Sequence, residues 1–231
     1  QAGARNFINQ KERDKILVDM TQDVSDLVLY DNYLQTQAIS LARSHGVKSL
    51  GQQERLMCTL ERNGSLNRKV EFLPDSEEVS KRLAEGSGLT RPELSVLLSY
   101  SKNFLYNDLI NSNLPEEKYF EGDLIKYFPK HLTQKFKKDI FSHKLRREII
   151  STFVTNSMIN RVGMIFFFRL TEDTGMKFCD IARAYAIIKD AFNFIEIWHE
   201  IEGLQHKISN ELQLEMYNEI NVLIERSTAW L

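Results

Sequence analysis

The stretch HKLRREIISTFVTNSMINRV, residues 143–162, shows most clearly how this chain folds. Its apolar side chains recur every three or four residues, which is the repeat of an α-helix. They form two adjacent stripes, Leu145, Ile149 and Phe153 in one and Ile150, Val154 and Met158 in the other. Because so broad an apolar face needs several neighbours to cover it, the stretch predicts a deeply buried helix that ends at Gly163.

The same helical repeat runs along nearly the whole chain. One face near the start carries Leu17, Met20, Val24, Leu27 and Val28, and it continues as Leu34, Ala38 and Leu41. Only ten Gly and four Pro occur in 231 residues, which favours long helices with short connections. We therefore predict an all-α fold, a multi-helix bundle or orthogonal helical array without significant sheet. Residues 1–64 are expected to form N-terminal helices and residues 65–231 the main bundle, although the pattern also allows one continuous domain.

Four local patterns make predictions that a structure can test. Thr90-Arg91-Pro92-Glu93 predicts a capping box at the start of a helix. The spacing from Phe178 to Ile195, which includes Phe192, predicts a continuous coiled-coil-like seam. Three successive phenylalanines, residues 166–168, cover more than half of a helix circumference, so they should be buried in the core or in a dimer contact. The C-terminal helix could form such a dimer contact as well. The last helix is expected to present Ile208, Leu212, Met216, Ile220 and Leu223.

The sequence lacks the patterns that hold cofactors or catalytic groups. Gly86-Ser87-Gly88 is not a dinucleotide-binding loop, because the third glycine would fall at Arg91. His199 and His206 have no carboxylate at ligand spacing, and this gives a metal site little support. Cys58 and Cys179 lie far apart in apolar stretches and are expected to be reduced, buried thiols. We predict no catalytic, cofactor-binding or metal-binding residue in this chain.

Charge and hydropathy restrict the partners. The net charge is −2, and neither a signal peptide nor a membrane-spanning run is visible, so a cytoplasmic protein is expected. One segment, residues 126–147, is locally basic: it contains Lys126, Lys130, His131, Lys135, Lys137, Lys138, Lys144, Arg146 and Arg147. A solvated helix face is the favoured interpretation of this segment. Docking onto an acidic surface of the parent protein and binding of RNA or another polyanion are the alternatives.

Short motifs in a fixed order carry a resemblance to a known family. They are residues 31–37 (DNYLQTQ), 66–68 (LNR), 71–74 (EFLP), 89–94 (LTRPEL), 127–129 (YFP), 145–150 (LRREII), 160–163 (NRVG), 182–185 (ARAY) and 229–231 (AWL). From about Lys15 to Leu231, the chain resembles the C-terminal helical region of the large bacterial NAD-specific glutamate dehydrogenases, with residues 31–37 just after the catalytic region. Residues 1–10 match least and are interpreted as a linker or a cloning remnant.

The resemblance implies a parent enzyme that oxidises L-glutamate to 2-oxoglutarate and ammonium with NAD. Its catalytic groups and NAD loop are expected upstream of Gln1, so NAD is a cofactor of the parent and not of this segment. The segment would have a structural, assembly or regulatory role, in contact with the catalytic region of its own chain and within a homo-oligomer. The alternative function is an independent helical module that binds RNA or another polyanion through residues 126–147; a membrane partner is not expected.

Overall fold

The computed structural model describes residues 9–231, apart from the side chain of His131, and this part of the chain is helical without a β-strand. The α-helices are α1 (Gln10–His45), α2 (Val47–Arg62), α3 (Ser76–Glu85), α4 (Arg91–Asn111), α5 (Glu121–Lys126), α6 (Lys130–Lys135), α7 (Lys137–Phe141), α8 (Arg146–Val162), α9 (Phe166–Thr174), α10 (Phe178–Ala191), α11 (Phe194–Glu202) and α12 (Asn210–Trp230). Short 3-10 turns at Leu114–Glu116 and Lys118–Phe120 connect α4 to α5. The predicted all-α fold is confirmed.

Helix α8, the stretch that predicted the fold, lies at the centre. It packs against α1, α4, α5, α10 and α12. Ile149, Ile150, Val154 and Met158 are buried as expected, whereas Leu145 is exposed because α8 begins only at Arg146. The helix ends at Gly163, whose φ of 114° lies outside the range that side-chain-bearing residues readily adopt.

The predicted capping box forms at the start of α4. The Thr90 backbone N–H donates to Glu93 Oε2 over 2.7 Å. Arg82, near the end of α3, donates two hydrogen bonds to the same carboxylate, at 2.8 and 3.0 Å. These contacts hold the pKa of Glu93 below its usual value, against the opposing effect of burial. The cap therefore also joins α3 to α4.

The predicted seam from Phe178 to Ile195 is wrong in its second half. Asn193 has a φ of 52°, in the left-handed region, and it separates α10 from α11. The change of direction leaves Phe192 and Ile195 exposed. Helix α11 instead buries Phe194, Trp198 and Ile201, which follow the break at helical spacing.

The predicted face of the last helix is only partly correct. Met216 and Ile220 are half-buried against the core, but Ile208 precedes α12, and Leu212 and Leu223 are exposed. The buried side of α12 instead carries Tyr217, Asn221, Ile224 and Thr228. Two of these four residues, Asn221 and Thr228, are polar, so hydrophobicity alone identified a neighbouring face.

The three phenylalanines Phe166, Phe167 and Phe168 are buried within the chain, as their positions on the helix required. The Phe167 ring meets the edge of Phe178 at a centroid distance of 5.1 Å. Because the core already covers these side chains, they are not available for the expected dimer contact. Cys58 and Cys179 are free thiols, and they are half-buried rather than buried. Within residues 9–231, no helix is both long and apolar enough to cross a bilayer.

Residues 1–8 of the expected linker lie outside the described residues, and Gln10 already belongs to α1. One connected cluster of buried apolar side chains includes members from Ala38 in α1 to Ile224 in α12. The division of the chain at residue 64 stays a prediction.

Candidate interaction surface and its anchor

The first half of α1 has an uncovered apolar face. We call Leu17, Met20, Val24, Leu27 and Val28 the α1 stripe, and all of them except the half-buried Met20 are exposed. Farther along α1, Ala38 continues this face, with Leu41 at its edge, and both are buried against the other helices. One helix face is therefore covered over its second half and bare over its first half.

The middle of α1 is fixed to the body by a buried ionic cluster, the Arg161 junction, formed by Tyr30, Arg161, Trp198 and Glu202. Arg161 of α8 donates to Glu202 Oε1 and to the Tyr30 hydroxyl oxygen, both over 2.6 Å. The Tyr30 hydroxyl donates to Glu202 Oε2 over 3.1 Å. The Arg161 guanidinium also lies over the Trp198 ring, 4.8 Å from its centroid. Three helices, α1, α8 and α11, thus meet at one cation.

Burial dominates the electrostatics of this junction. The side chains of Arg161 and Glu202 are only 8% and 13% exposed. Burial raises the pKa of Tyr30 to about 12; the charge of Arg161 opposes this shift and that of Glu202 adds to it. Next to the junction, Asn160 Nδ2 donates to Asp31 Oδ1 over 3.1 Å. Removing one partner of such a pair leaves a buried charge uncompensated, so the junction strongly fixes the position of α1.

Sequence reasoning missed the Arg161 junction. Its members lie up to 172 residues apart in the chain, as for Tyr30 and Glu202, and no local motif joins them. One signal was available: Arg161 is in register with the buried stripe of Ile150, Val154 and Met158. A charged residue on a deeply buried helix face requires a buried partner.

A cavity of about 260 Å³ lies beside the second half of α1, between α2, α12 and the loop after α8. Buried Gln53 and Asn221 contribute to its wall, and their Oε1, Nδ2 and Oδ1 atoms have no hydrogen-bond partner in the described part of the chain. At its edge Arg169 pairs with Glu225, whose pKa is raised by burial although Arg169 opposes the shift. The cavity has room for several waters, each of which occupies about 30 Å³.

Comparison with known proteins identifies the family. A family model described as "Glutamate dehydrogenase, C-terminal" matches residues 86–231. The chain belongs to this family. A second model, "Bacterial NAD-glutamate dehydrogenase, catalytic domain", matches residues 2–42. This match reaches into α1 and includes residues 31–37. The prediction that these residues lie just after the catalytic region is therefore wrong. The match also assigns residues 2–10 to the family sequence rather than to a cloning remnant.

Three curated relatives are similar over nearly the whole chain, and each is named "NAD-specific glutamate dehydrogenase". The protein from Halomonas elongata is 39% identical over 98% of this chain, and that from Pseudomonas aeruginosa is 41% identical over 96%. The Mycobacterium tuberculosis protein is 32% identical over 97%. The chain spans only 14% of the length of each relative.

Half of the lysines and arginines in the basic segment of this glutamate dehydrogenase C-terminal region, namely Lys126, Lys135, Arg146 and Arg147, form ion pairs within the chain. Arg147 donates to Glu116 and to the carbonyl oxygens of Ile110 and Ser112, over 2.6 to 2.8 Å. Other contacts in the segment join Lys126 to Asp123, Arg146 to Glu121 and Lys135 to Glu12 of α1. These pairs reduce the positive charge that a polyanion would meet, and they favour a structural interpretation of residues 126–147.

His199 and His206, the two histidines considered as metal ligands, do not come together. His199 of α11 stacks on Tyr30 at 6.1 Å, while His206 lies beyond the end of that helix, so the two do not share a helix face. His199 Nδ1 lies 3.6 Å from Glu202 Oε2, so the expectation that His199 has no carboxylate at ligand spacing is wrong. His45 Nε2 lies 2.6 Å from Asn218 Oδ1. Within residues 9–231 no group of three or more His, Cys, Asp or Glu side chains is arranged to hold a metal ion.

Proposed function

We propose that this chain is the non-catalytic C-terminal helical segment of an NAD-specific glutamate dehydrogenase and that it docks onto the catalytic region of its own polypeptide through the α1 stripe. The parent enzyme would oxidise L-glutamate to 2-oxoglutarate and ammonium with NAD bound upstream of this segment. We further propose that it is a cytoplasmic homo-oligomer and that nucleic acid is not its partner.

The exposed α1 stripe is the observation that carries this proposal. A monomeric protein rarely leaves a contiguous apolar face uncovered on a rigid helix, and such faces mark interaction sites. The Arg161 junction holds α1 in place, so the stripe is presented in a fixed orientation. The catalytic-domain match over residues 2–42 includes the stripe, so α1 carries part of the sequence of that domain. This supports the remainder of the catalytic domain as the occupant of the stripe.

A pair of variants in the intact enzyme tests the docking role. Val24 lies on the stripe, whereas Gln22 lies on the opposite side of the same helix, since two residues are about 200° apart. We expect Val24→Lys to lower the thermal stability and the glutamate-dependent NAD reduction of the intact enzyme, because it places a charge in a buried contact. Gln22→Lys adds the same charge to a solvated face and should leave both measurements unchanged.

The same two variants in the 231-residue chain provide the reference. Because both positions are solvent-accessible in this chain, the free energy of unfolding of each variant should be within about 0.5 kcal/mol of that of the unsubstituted chain. Equal behaviour of Val24→Lys and Gln22→Lys in the intact enzyme would contradict docking through the stripe.

The non-catalytic role and the polyanion alternative each have a direct test. The purified chain should produce no NADH from glutamate and NAD; turnover would overturn the proposed role. It should also bind no generic RNA at low ionic strength, where phosphate contacts are strongest. Salt-sensitive RNA binding that is lost when Lys137 and Lys138 are replaced by Gln would support the polyanion module instead.

A further inference from the structure

The connection between α2 and α3 contains a single helical turn with an unusual end. Asn67 opens the turn, because its Oδ1 accepts from the Val70 N–H over 3.3 Å and its carbonyl accepts from the Glu71 N–H over 3.1 Å. The Leu73 N–H then donates to the Arg68 carbonyl over 2.9 Å, which is the closing bond of a Schellman motif. The residue at the left-handed position of this motif is Phe72, with a φ of 54°.

Other helix ends in the same chain place glycine at this position. Helix α3 ends at Gly86, with a φ of 72° and the same closing bond, from the Ser87 N–H to the Arg82 carbonyl. Helix α9 ends at Gly175, with a φ of 76°. Glycine avoids the clash between Cβ and the backbone that any other residue has in this region. Phenylalanine at position 72 therefore strains the backbone.

Packing of the Phe72 side chain within the described residues does not offset this strain. It is 88% exposed, although the neighbouring Leu66 and Leu73 are buried. The turn itself is held firmly: Arg68 donates to Glu61 over 2.8 Å and to the Pro74 carbonyl over 3.2 Å. The Phe72 ring therefore projects from the surface on a turn that hydrogen bonds hold in place, and the backbone at Phe72 is strained.

We infer that Phe72 is an anchor that inserts into an apolar pocket on the upstream catalytic region of the same polypeptide. Strained residues persist only where the surrounding structure imposes them, and they cluster at functional sites. Rigid aromatic side chains bind with little loss of conformational entropy. The relatives extend far beyond this chain, and the catalytic-domain match ends at residue 42, shortly before α2, which leads directly into the turn. Covalent attachment keeps that region at high effective concentration. The inference rests on the proposed function and adds a second contact to the α1 stripe.

The test compares Phe72→Gly in two contexts by thermal unfolding. In the 231-residue chain, the substitution removes strain and loses little packing, so we expect the Tm to rise by about 2 °C. In the intact enzyme, it removes the anchor, so we expect the Tm to fall and amide exchange of residues 66–74 to increase. A rise of Tm in both contexts would overturn the inference, because the ring would then have no partner in the enzyme.

Lys69→Gly is the matched control, since Lys69 is exposed on the same turn without a positive φ. It should lower the Tm slightly and equally in both contexts. If the fall caused by Phe72→Gly disappears when the enzyme is dissociated into monomers, the pocket belongs to another subunit, and the assignment to the same polypeptide is overturned. If Val24→Lys weakens the intact enzyme while Phe72→Gly does not, the proposed function survives and the anchor fails.

Discussion

The two halves of α1 carry the same apolar repeat in different environments. In the second half, Ala38 faces the core; in the first half, Val24 and Leu27 lie on the same face, within about 40° of Ala38 around the helix axis, but remain exposed. Periodicity therefore identifies the apolar face of a helix, but it does not tell whether residues of this chain cover that face. The Arg161 junction lies between the two halves and couples the exposed half to the body.

The largest effect is expected from breaking the junction between the two halves. Arg161→Leu leaves Glu202 buried without its cation and removes the guanidinium that contacts Tyr30 and Trp198. We expect the free energy of unfolding of the chain to fall by about 4 kcal/mol, as for other buried pairs that lose one partner. Urea unfolding measures this change.

Arg55→Leu is the control for that experiment. Arg55 pairs with Glu172 at 2.9 Å, but its side chain is 54% exposed. An exposed pair contributes less than about 1 kcal/mol, so the free energy of unfolding of this variant should remain close to that of the unsubstituted chain. Similar losses for the two arginines would show that the junction does not fix α1.

A smaller effect comes from comparing the two halves of α1 directly. Leu41 is buried, so Leu41→Ala should cost about 3 kcal/mol through lost burial and the cavity that remains. Leu27 lies on the α1 stripe and is exposed, and Leu27→Ala should change the stability of the chain by less than about 0.5 kcal/mol. A large loss for Leu27→Ala, measured by the same urea unfolding, would mean that the first half of α1 is covered in the chain itself.

The sequence predicted the features that depend on local spacing. The capping box at Thr90, the burial of Phe166–Phe168 and the end of α8 at Gly163 follow from neighbouring residues, and the structure confirms them. The predictions failed where a single residue redirects the chain, as at Asn193, or where polar residues occupy a buried face, as Asn221 and Thr228 do.

The interaction site was only partly predictable for a related reason. The apolar residues of α1 were recognised, but their exposure depends on where the body ends. The Arg161 junction depends on contacts between distant helices, and the strain at Phe72 depends on a backbone angle that no sequence motif specified. Tertiary contacts decided each of these features.

The smallest predicted effect concerns the pH dependence of the junction. Because the pKa of Tyr30 is raised to about 12 in the folded chain, the unfolded chain loses this proton first, near its ordinary value of about 10. The stability that Tyr30 contributes is therefore complete below pH 10 and is lost as the pH rises toward 12. Tyr30→Phe removes the hydroxyl hydrogen bonds and should cost about 1 kcal/mol at pH 7. In urea unfolding, the difference in free energy of unfolding between the unsubstituted chain and Tyr30→Phe should then become smaller from pH 10 upward. A constant difference across this range would show that the Tyr30 hydroxyl does not titrate with the junction.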